Sequence, residues 1–139
     1  LQNWFGVPGT SYTYSRIKIP ALPFPKWMNV LRKEVQITTG EVFNSVLVNY
    51  YRDGKDSNDW HSDDEKELGN SPIIASISLG AERIFHLRHK DSKEKIKINL
   101  LNGSLLLMGA GIQEHWQHKL AKTAVFVGPR INFTFRNLM

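Results

Sequence analysis

The segment WHSDDE, which begins at Trp60, contains one histidine and three consecutive acidic residues. His61 and Asp63 are separated by one residue, so on an extended backbone both side chains project to the same face and can bind one metal ion. Because a His-x-Asp pair is also common in solvated polar loops, a metal site requires a third ligand from elsewhere. The sequence contains no cysteine, so any transition-metal site must use histidine and carboxylate ligands.

The other four histidines are candidates for the third ligand. His86 and His89 lie in the basic run RIFHLRHK, which is better explained as an exposed strand and hairpin. His115 and His118 are three residues apart, so on a strand they point to opposite faces and only one of them faces inward. The spacing alone does not decide between His115 and His118.

The segment RINFTFR near the end of the chain has one polar and one apolar face. Two buried arginines are costly without anionic partners, so this strand either exposes its polar side to water or lines a pocket for a dicarboxylate. The guanidinium group binds carboxylates through two parallel hydrogen bonds. The polar face consists of Arg130, Asn132, Thr134 and Arg136, and the apolar face of Ile131, Phe133 and Phe135.

An earlier strand, LVNYY, repeats this arrangement. Asn49 and Tyr51 share one face and offer an amide and a phenol that can hydrogen-bond a carboxylate or keto group. A half-exposed strand with no ligand shows the same pattern.

The elements that must position these side chains are mostly β-strands. A single helix is predicted from Pro25 to Gly40, because PKWMNVLRKEVQ places Trp27, Val30, Leu31 and Val35 at helical spacing. One helix packed on a double-sheet β core, as in a sandwich or barrel-like roll, is the predicted architecture. The predicted strands are FNSVLVNYY, IIASISL, RIFHLRH, KIKINLL, SLLLM, TAVFV and INFTFR.

Length and composition limit the class of protein. At 139 residues with 41% hydrophobic residues, the chain fits one folded domain. The formal charge of +5 favours polyanionic partners such as nucleic acid. No membrane span or secretion signal is visible, so we expect an intracellular protein.

Taken in order, NYYRDG, WHSDDE, SPIIASISLGAERIF, GSLLLM, HWQHKL and RINFTFR resemble the AlkB family of iron(II)- and 2-oxoglutarate-dependent dioxygenases. The resemblance extends over nearly the whole chain. FNSVLVNYYRDG, HSDDE and GTSYTYS are most similar to the branch containing the second and third human AlkB homologues. The family resemblance implies a jelly roll, also called a double-stranded β-helix.

The resemblance also implies a role for each candidate residue. His61, Asp63 and His118 would form the two-histidine, one-carboxylate iron site, which favours His118 over His115. Arg130 would bind the distal carboxylate of 2-oxoglutarate and Arg136 its iron-side end. The full set expected to hold 2-oxoglutarate is Asn49, Tyr51, Arg130, Asn132, Thr134 and Arg136.

The implied activity is oxidative demethylation of 1-methyladenine and 3-methylcytosine as direct repair of alkylation damage. It uses iron(II), 2-oxoglutarate and O2 and releases formaldehyde, succinate and CO2. Asp64 and Glu65 lie at the position of the family's base-contacting carboxylate, which would favour the cationic lesion. Tyr12 and Tyr14 match the aromatic pair that restacks a flipped base.

The resemblance predicts one AlkB-like domain over residues 1–139, shortened at its N-terminus, with a nucleotide-recognition lid over about 1–24 and a jelly-roll core over about 42–139. The expected partner is alkylated DNA or RNA, bound by a monomer that is cytoplasmic if bacterial and nuclear if eukaryotic. Basic residues around the predicted hairpin, among them Arg83 and Arg88, suit phosphate contacts. The alternatives are a related dioxygenase acting on RNA, protein or a small molecule, and a non-catalytic basic β-module that binds nucleic acid.

Overall fold

The structure is a computed structural model that describes residues 2–14 and 17–139, without the side chains of residues 12–14 and 17. Most of the described elements are short antiparallel strands. The strands are β1 (Gln2–Gly6), β2 (Ser11–Tyr14), β3 (Ile17–Pro20), β4 (Ser45–Tyr51), β5 (Asn58–His61), β6 (Ile74–Gly80), β7 (Arg83–His89), β8 (Lys95–Leu100), β9 (Ser104–Met108), β10 (Trp116–Leu120) and β11 (Arg130–Arg136). The helices are α1 (Lys26–Thr39), α2 (Ile112–His115) and a single 3-10 turn, Lys66–Leu68.

Two sheets form the core of the molecule. The first has the strand order β1-β4-β11-β6-β9 and the second the order β5-β10-β7-β8. The pairs β4 with β11, β5 with β10, β6 with β9 and β7 with β8 are nested within one another, as in a long hairpin that is rolled up on itself. This nesting is the jelly-roll topology, so the predicted fold class is confirmed.

Helix α1 covers the outer face of the five-stranded sheet. It begins after Pro25 and ends at Gly40, which has a φ of 73° and donates its amide to the Gln36 carbonyl. Phe133 and Phe135 of β11 pack beneath the helix in the main apolar cluster. The apolar face of RINFTFR therefore faces the helix, and its polar face points into the roll between the two sheets.

The buried stripe of α1 differs in part from the predicted one. Val35 is 3% exposed and Leu31 packs against the core, but Trp27 and Val30 are 58% and 55% exposed. Met28, at 2% exposure, completes the stripe, since residues 28, 31 and 35 lie on one side of a helix and residue 30 on the other.

The prediction of a strand at TAVFV is wrong. Residues 121–129 form an irregular segment, and Val125 and Phe126 are 71% and 97% exposed. The strand in this region is β10, which pairs with both β5 and β7. Because both edges of β10 are thereby occupied, no strand position beside it is left for residues 123–127.

The first strands of the chain lie in different sheets. β1 pairs with β4 and extends the five-stranded sheet, whereas β2 and β3 form a separate two-stranded sheet. The division into a lid over about 1–24 and a core over about 42–139 stays a prediction. No helix in the described part of the chain is long and apolar enough to cross a membrane.

Candidate functional site

The pairing of β5 with β10 brings two histidines together. His61 and His118 are directly opposite each other across the two strands, and their ring centroids are 4.3 Å apart. Both side chains point between the sheets, and His118 is only 4% exposed. The register of these antiparallel strands therefore places two imidazole groups from distant parts of the chain side by side.

Asp63 follows the end of β5 and faces the same two rings. Its Oδ1 lies 3.9 Å from Nε2 of His61, and its Oδ2 accepts a 2.8 Å hydrogen bond from Nη2 of Arg136. The ligand atoms of His61, Asp63 and His118 all lie within 4.8 Å of one another. The three residues that the resemblance implies as iron ligands therefore lie close together, whereas the His-x-Asp spacing indicated only His61 and Asp63.

Electrostatics favour an ionised Asp63 and a neutral His118. Burial raises the pKa of Asp63, but the ion pair and hydrogen bond with Arg136, and the two histidines, outweigh it, so this pKa lies below its ordinary value. Burial, with a smaller contribution from His61, lowers the pKa of His118 to about 4. At neutral pH the group therefore offers a carboxylate and an imidazole lone pair.

A buried glutamine connects two members of this group, and the sequence analysis did not identify it. Oε1 of Gln113 accepts the Asp63 backbone N–H at 2.8 Å and lies 3.2 Å from Nε2 of His118. Gln113 is 1% exposed, and its Nε2 donates to the Met108 sulfur at 3.5 Å. Gln113 contacts Met108 and His118, each five residues away in the chain, and Asp63, which is 50 residues away. No sequence pattern separates it from the half-buried Gln117.

Arg130 is the second notable group, deeper in the roll. It is 3% exposed, its Nη2 donates to Oγ of Ser78 at 2.9 Å, and its guanidinium carbon lies 5.0 Å from the centre of the Tyr51 ring. None of the ion pairs between described residues includes Arg130, and its Nε has no hydrogen-bond partner. Burial lowers the pKa of Arg130 and raises that of Tyr51, and each group partly offsets the shift of the other.

Asn132 and Thr134 lie on the same face of β11 and are mainly engaged with each other and with β6. Nδ2 of Asn132 donates to Oγ of Ser76 at 2.6 Å, and Oγ1 of Thr134 donates to Oδ1 of Asn132 at 2.7 Å. Asn49 is paired with Asn132 across β4 and β11 and accepts a 2.7 Å hydrogen bond from Nε2 of Gln2.

Two cavities lie along this polar face. The larger, of about 480 Å³, is lined by His61, Asp63, Arg136 and Glu65 among others. A second cavity of about 410 Å³ is lined by Asn49 and Tyr51, and Gln2 lies on the walls of both. Of the six predicted 2-oxoglutarate residues, Arg136 lines the larger cavity, and Asn49 and Tyr51 line the second. The other three, Arg130, Asn132 and Thr134, are buried and line neither of these two cavities.

Only one of the four predicted substrate residues is seen at the larger cavity. Glu65 lines the larger cavity, whereas Asp64 is exposed and does not line it. The side chains of Tyr12 and Tyr14 lie outside the described part of the structure, so their predicted role stays a prediction.

The three discounted histidines lie away from this group. His86 is on the outer side of β7, and His89 contacts Trp116 with ring centroids 5.0 Å apart. His115 ends the short helix α2 with a half-exposed side chain next to Glu114, so it does not occupy the strand position considered from the sequence.

The residues present fit the groups that the resemblance implies. Two imidazoles and one carboxylate are a donor set typical of non-haem iron(II) sites. A buried guanidinium without a carboxylate partner is costly, and the carboxylate of a bound diacid would supply one. The ligand assignments themselves stay predictions.

Comparison with known proteins agrees with these features. The chain is 45% identical over 150 residues to alpha-ketoglutarate-dependent dioxygenase alkB homolog 3 of Homo sapiens, covering 99% of this chain and 51% of that protein. It is 38% identical over 146 residues to DNA oxidative demethylase ALKBH2 of Homo sapiens, covering 99% of this chain and 56% of that protein. The structure of OsALKBH1 matches it with a TM-score of 0.71 at 17% identity, over 98% of this chain and 77% of that chain, which supports the fold alone.

The chain thus spans about half the length of the curated relatives it matches. A sequence profile described as the 2OG-Fe(II) oxygenase superfamily matches residues 2–136. The resemblance to the AlkB family, predicted from the motifs, is confirmed by the relatives. The chain belongs to the 2OG-Fe(II) oxygenase superfamily.

Proposed function

We propose that this protein demethylates N-alkylated nucleic-acid bases, chiefly 1-methyladenine and 3-methylcytosine, and so repairs alkylation damage directly. The observation that carries the proposal is the group formed by His61, Asp63 and His118, with Arg136 bonded to its carboxylate. The 45% identity to alkB homolog 3 and the 38% identity to a protein named DNA oxidative demethylase support the substrate class.

His61, Asp63 and His118 would hold iron(II), and Arg130 and Arg136 would hold the two ends of 2-oxoglutarate. Arg136 also fixes the Asp63 carboxylate through its 2.8 Å hydrogen bond. When bound, iron(II) and 2-oxoglutarate supply the O2-dependent oxidation of the N-methyl group, with formaldehyde, succinate and CO2 as products.

In this proposal Glu65 selects the damaged base. It lines the same cavity as His61 and Asp63. Because 1-methyladenine and 3-methylcytosine are cations at neutral pH, a carboxylate in this wall favours them over the neutral parent bases. Tyr12 and Tyr14 complete the proposed base site as stacking surfaces.

We propose the monomer as the unit of activity. The proposed substrate implies action inside the cell, in the cytoplasm of a bacterium or the nucleus of a eukaryote. We propose that the nucleotide-recognition lid covers residues of about 1–24 and the catalytic core residues of about 42–139.

The test is turnover of a 3-methylcytosine oligonucleotide with iron(II) and 2-oxoglutarate, followed by mass spectrometry for loss of the methyl group. Single-stranded DNA, duplex DNA and RNA carrying the same lesion are compared. We expect demethylation that requires both iron and 2-oxoglutarate. Succinate production with unchanged oligonucleotides would favour a different substrate. Absence of both succinate production and metal binding would favour the non-catalytic module.

A further inference from the structure

The outer face of the four-stranded sheet carries a cluster of positive charge. Strands β7, β8 and β10, which form most of this sheet, contain no Asp or Glu. Their alternating residues point away from the roll, because Leu87, Leu100 and Leu120 on the opposite side are buried. We call the outward-facing cluster the outer basic face; it consists of His86, Arg88, Lys95, Lys97 and Lys119.

The register of the strands groups these residues closely. Lys119 is opposite His86, which in turn is opposite Lys97 on the next strand, and Arg88 is opposite Lys95. Because neighbouring strands are about 4.8 Å apart, the three strands span roughly 10 Å. Lys95 and Lys97 are exposed to solvent.

The titration of His86 reflects the same grouping. Its pKa is lowered first by burial and then by Lys119, Lys97 and Lys95. All three lysines therefore act on one imidazole, and no acid is among the groups that shift it. The three lysines of the outer basic face therefore lie close enough to His86 to act on one imidazole together.

Trp60 connects the outer basic face to the candidate site. The Arg88 guanidinium lies 4.3 Å and the Lys119 ammonium 4.7 Å from the centre of its ring, so two cations are held by cation–π contacts. Trp60 precedes His61 on β5, which is one of the two edge strands of this sheet. A nucleic-acid strand that leaves the larger cavity across β5 would therefore reach Trp60 and then the Arg88 and Lys119 cations that contact its ring.

We propose that the outer basic face binds the phosphates of a single-stranded nucleic acid next to the base held in the cavity. This inference rests on the proposed function, because the nucleic-acid strand in question is the one whose damaged base occupies the larger cavity. A roughly 10 Å span of cations suits two or three successive phosphates of one strand. The two faces of β10 would then contact the same substrate. His118 on the inner face would lie at the cavity, and Lys119 on the outer face would bind the phosphate backbone.

The test compares Lys95→Ala/Lys97→Ala with Lys26→Ala/Lys33→Ala, a control that removes two exposed lysines from α1 on the far sheet. Affinity for an unmethylated single-stranded oligonucleotide is measured by fluorescence anisotropy over a salt series, without 2-oxoglutarate. Each phosphate contact contributes about −0.7 to the slope of log affinity against log salt. We expect the slope of the β8 variant to be shallower by about 1.4 and that of the helix control to be unchanged.

A second readout separates this inference from the proposed function. Turnover of a methylated trinucleotide should be the same in both variants, whereas the KM for a long methylated oligonucleotide should rise only in the β8 variant. If no demethylation occurs in any variant, the proposed function fails, while the binding slopes still decide on the outer basic face.

Three outcomes would overturn the inference. Equal slope changes in the two variants would mean that only net charge matters. Loss of binding to anionic lipid vesicles, with oligonucleotide binding intact, would identify a membrane surface instead. Self-association of the β8 variant with an unchanged slope would mean that these lysines only protect the edge strand β8 from pairing.

Discussion

Arg130 and Arg83 are both buried arginines, but their surroundings differ. Arg83 is 5% exposed and donates to three backbone carbonyls, those of Asp53, Asp56 and Ala121. Arg130, at 3% exposure, donates to Ser78 and contacts Tyr51, and it has no acidic partner among the described side chains. Arg83 therefore holds a loop in place and is not available to phosphates, contrary to the expectation from the sequence, whereas Arg130 has unused capacity for an anion.

This difference predicts opposite effects of the same substitution. Arg83→Met should lower the free energy of unfolding by about 3 kcal/mol, because three carbonyls lose their donor. Arg130→Met should leave this free energy unchanged or raise it, because an unpaired buried charge is removed. It should also weaken 2-oxoglutarate binding by roughly 100-fold, through loss of charge-assisted hydrogen bonds.

Urea denaturation and calorimetric titration of 2-oxoglutarate, with metal bound under anaerobic conditions, measure both effects. Destabilisation by Arg130→Met as large as that by Arg83→Met would show that Arg130 has a structural role. Unchanged 2-oxoglutarate affinity would remove it from the proposed binding site.

Gln113 is predicted to position two of the proposed iron ligands. Its Oε1 contacts the Asp63 amide and the His118 ring at 2.8 and 3.2 Å. Gln113→Leu should weaken metal binding by about 10–100-fold, as is usual when a group that orients metal ligands is lost. Gln117→Leu is the matched control, because Gln117 bonds Arg88 on the outer side of the same sheet.

Metal affinity is measured by anaerobic titration with cobalt(II), whose absorption spectrum also reports ligand geometry. Gln113→Glu keeps an acceptor oxygen at this position and should recover part of the affinity. Equal affinities of the Gln113→Leu and Gln117→Leu variants would contradict the positioning role.

Sequence reasoning found the candidate ligands but not the groups that hold them. Strand alternation predicted a shared face for His61 and Asp63 from a local pattern, although β5 ends at His61. The choice of His118 over His115 required the family resemblance. The sequence pattern shows neither that His115 lies on α2 nor that the β5–β10 register pairs His118 with His61. Gln113 was missed for the same reason: its contacts arise only from tertiary packing.

At the scale of elements, local signals predicted α1 and most of the strands. Pro25 and Gly40 mark the two ends of the helix, and period-two runs mark β4, β6, β7, β8, β9 and β11. TAVFV failed because β-branched composition does not guarantee a neighbour to pair with, and Phe126 is 97% exposed. β10 was weakly signalled because functional and polar residues interrupt its apolar pattern.

The junction of β6 and β11 offers a test of how an element positions the site. Gly80 has a φ of 95°, is paired with Arg130, and a Cβ there would overlap the Pro129 carbonyl oxygen. Gly103 has a similar φ of 78° but nothing within 4 Å of an added Cβ. Both glycines adopt the left-handed conformation, but only at Gly80 would an added Cβ also collide with the neighbouring backbone.

We therefore expect Gly103→Ala to cost about 1–2 kcal/mol of unfolding free energy, the usual strain of a left-handed alanine. Gly80→Ala should cost about 1–3 kcal/mol more, because the β11 backbone must move. It should also weaken 2-oxoglutarate binding through Arg130. Equal costs in urea denaturation would mean that the contact with Pro129 relaxes freely and does not fix the start of β11.

At the scale of the whole molecule, the proposed ligands join strands from both ends of the nested hairpin. β4 and β11 are its outermost pair, and β5 and β10 the next, so iron and 2-oxoglutarate would bind only after distant segments have come together. The unfolded chain has no such arrangement. Binding should therefore stabilise the whole fold and not only the site.

The expected size of this effect follows from linkage. At a ligand concentration 100 times its Kd the stabilisation is about 2.7 kcal/mol, which for a chain of this length raises Tm by about 10 °C. Anaerobic thermal unfolding with iron(II) and 2-oxoglutarate measures it. Asp63→Ala should abolish the increase, because a carboxylate ligand and the partner of Arg136 are both lost, whereas His115→Ala should retain it. A full increase in the Asp63 variant, or its loss in the His115 variant, would show that the ligands bind elsewhere in the molecule.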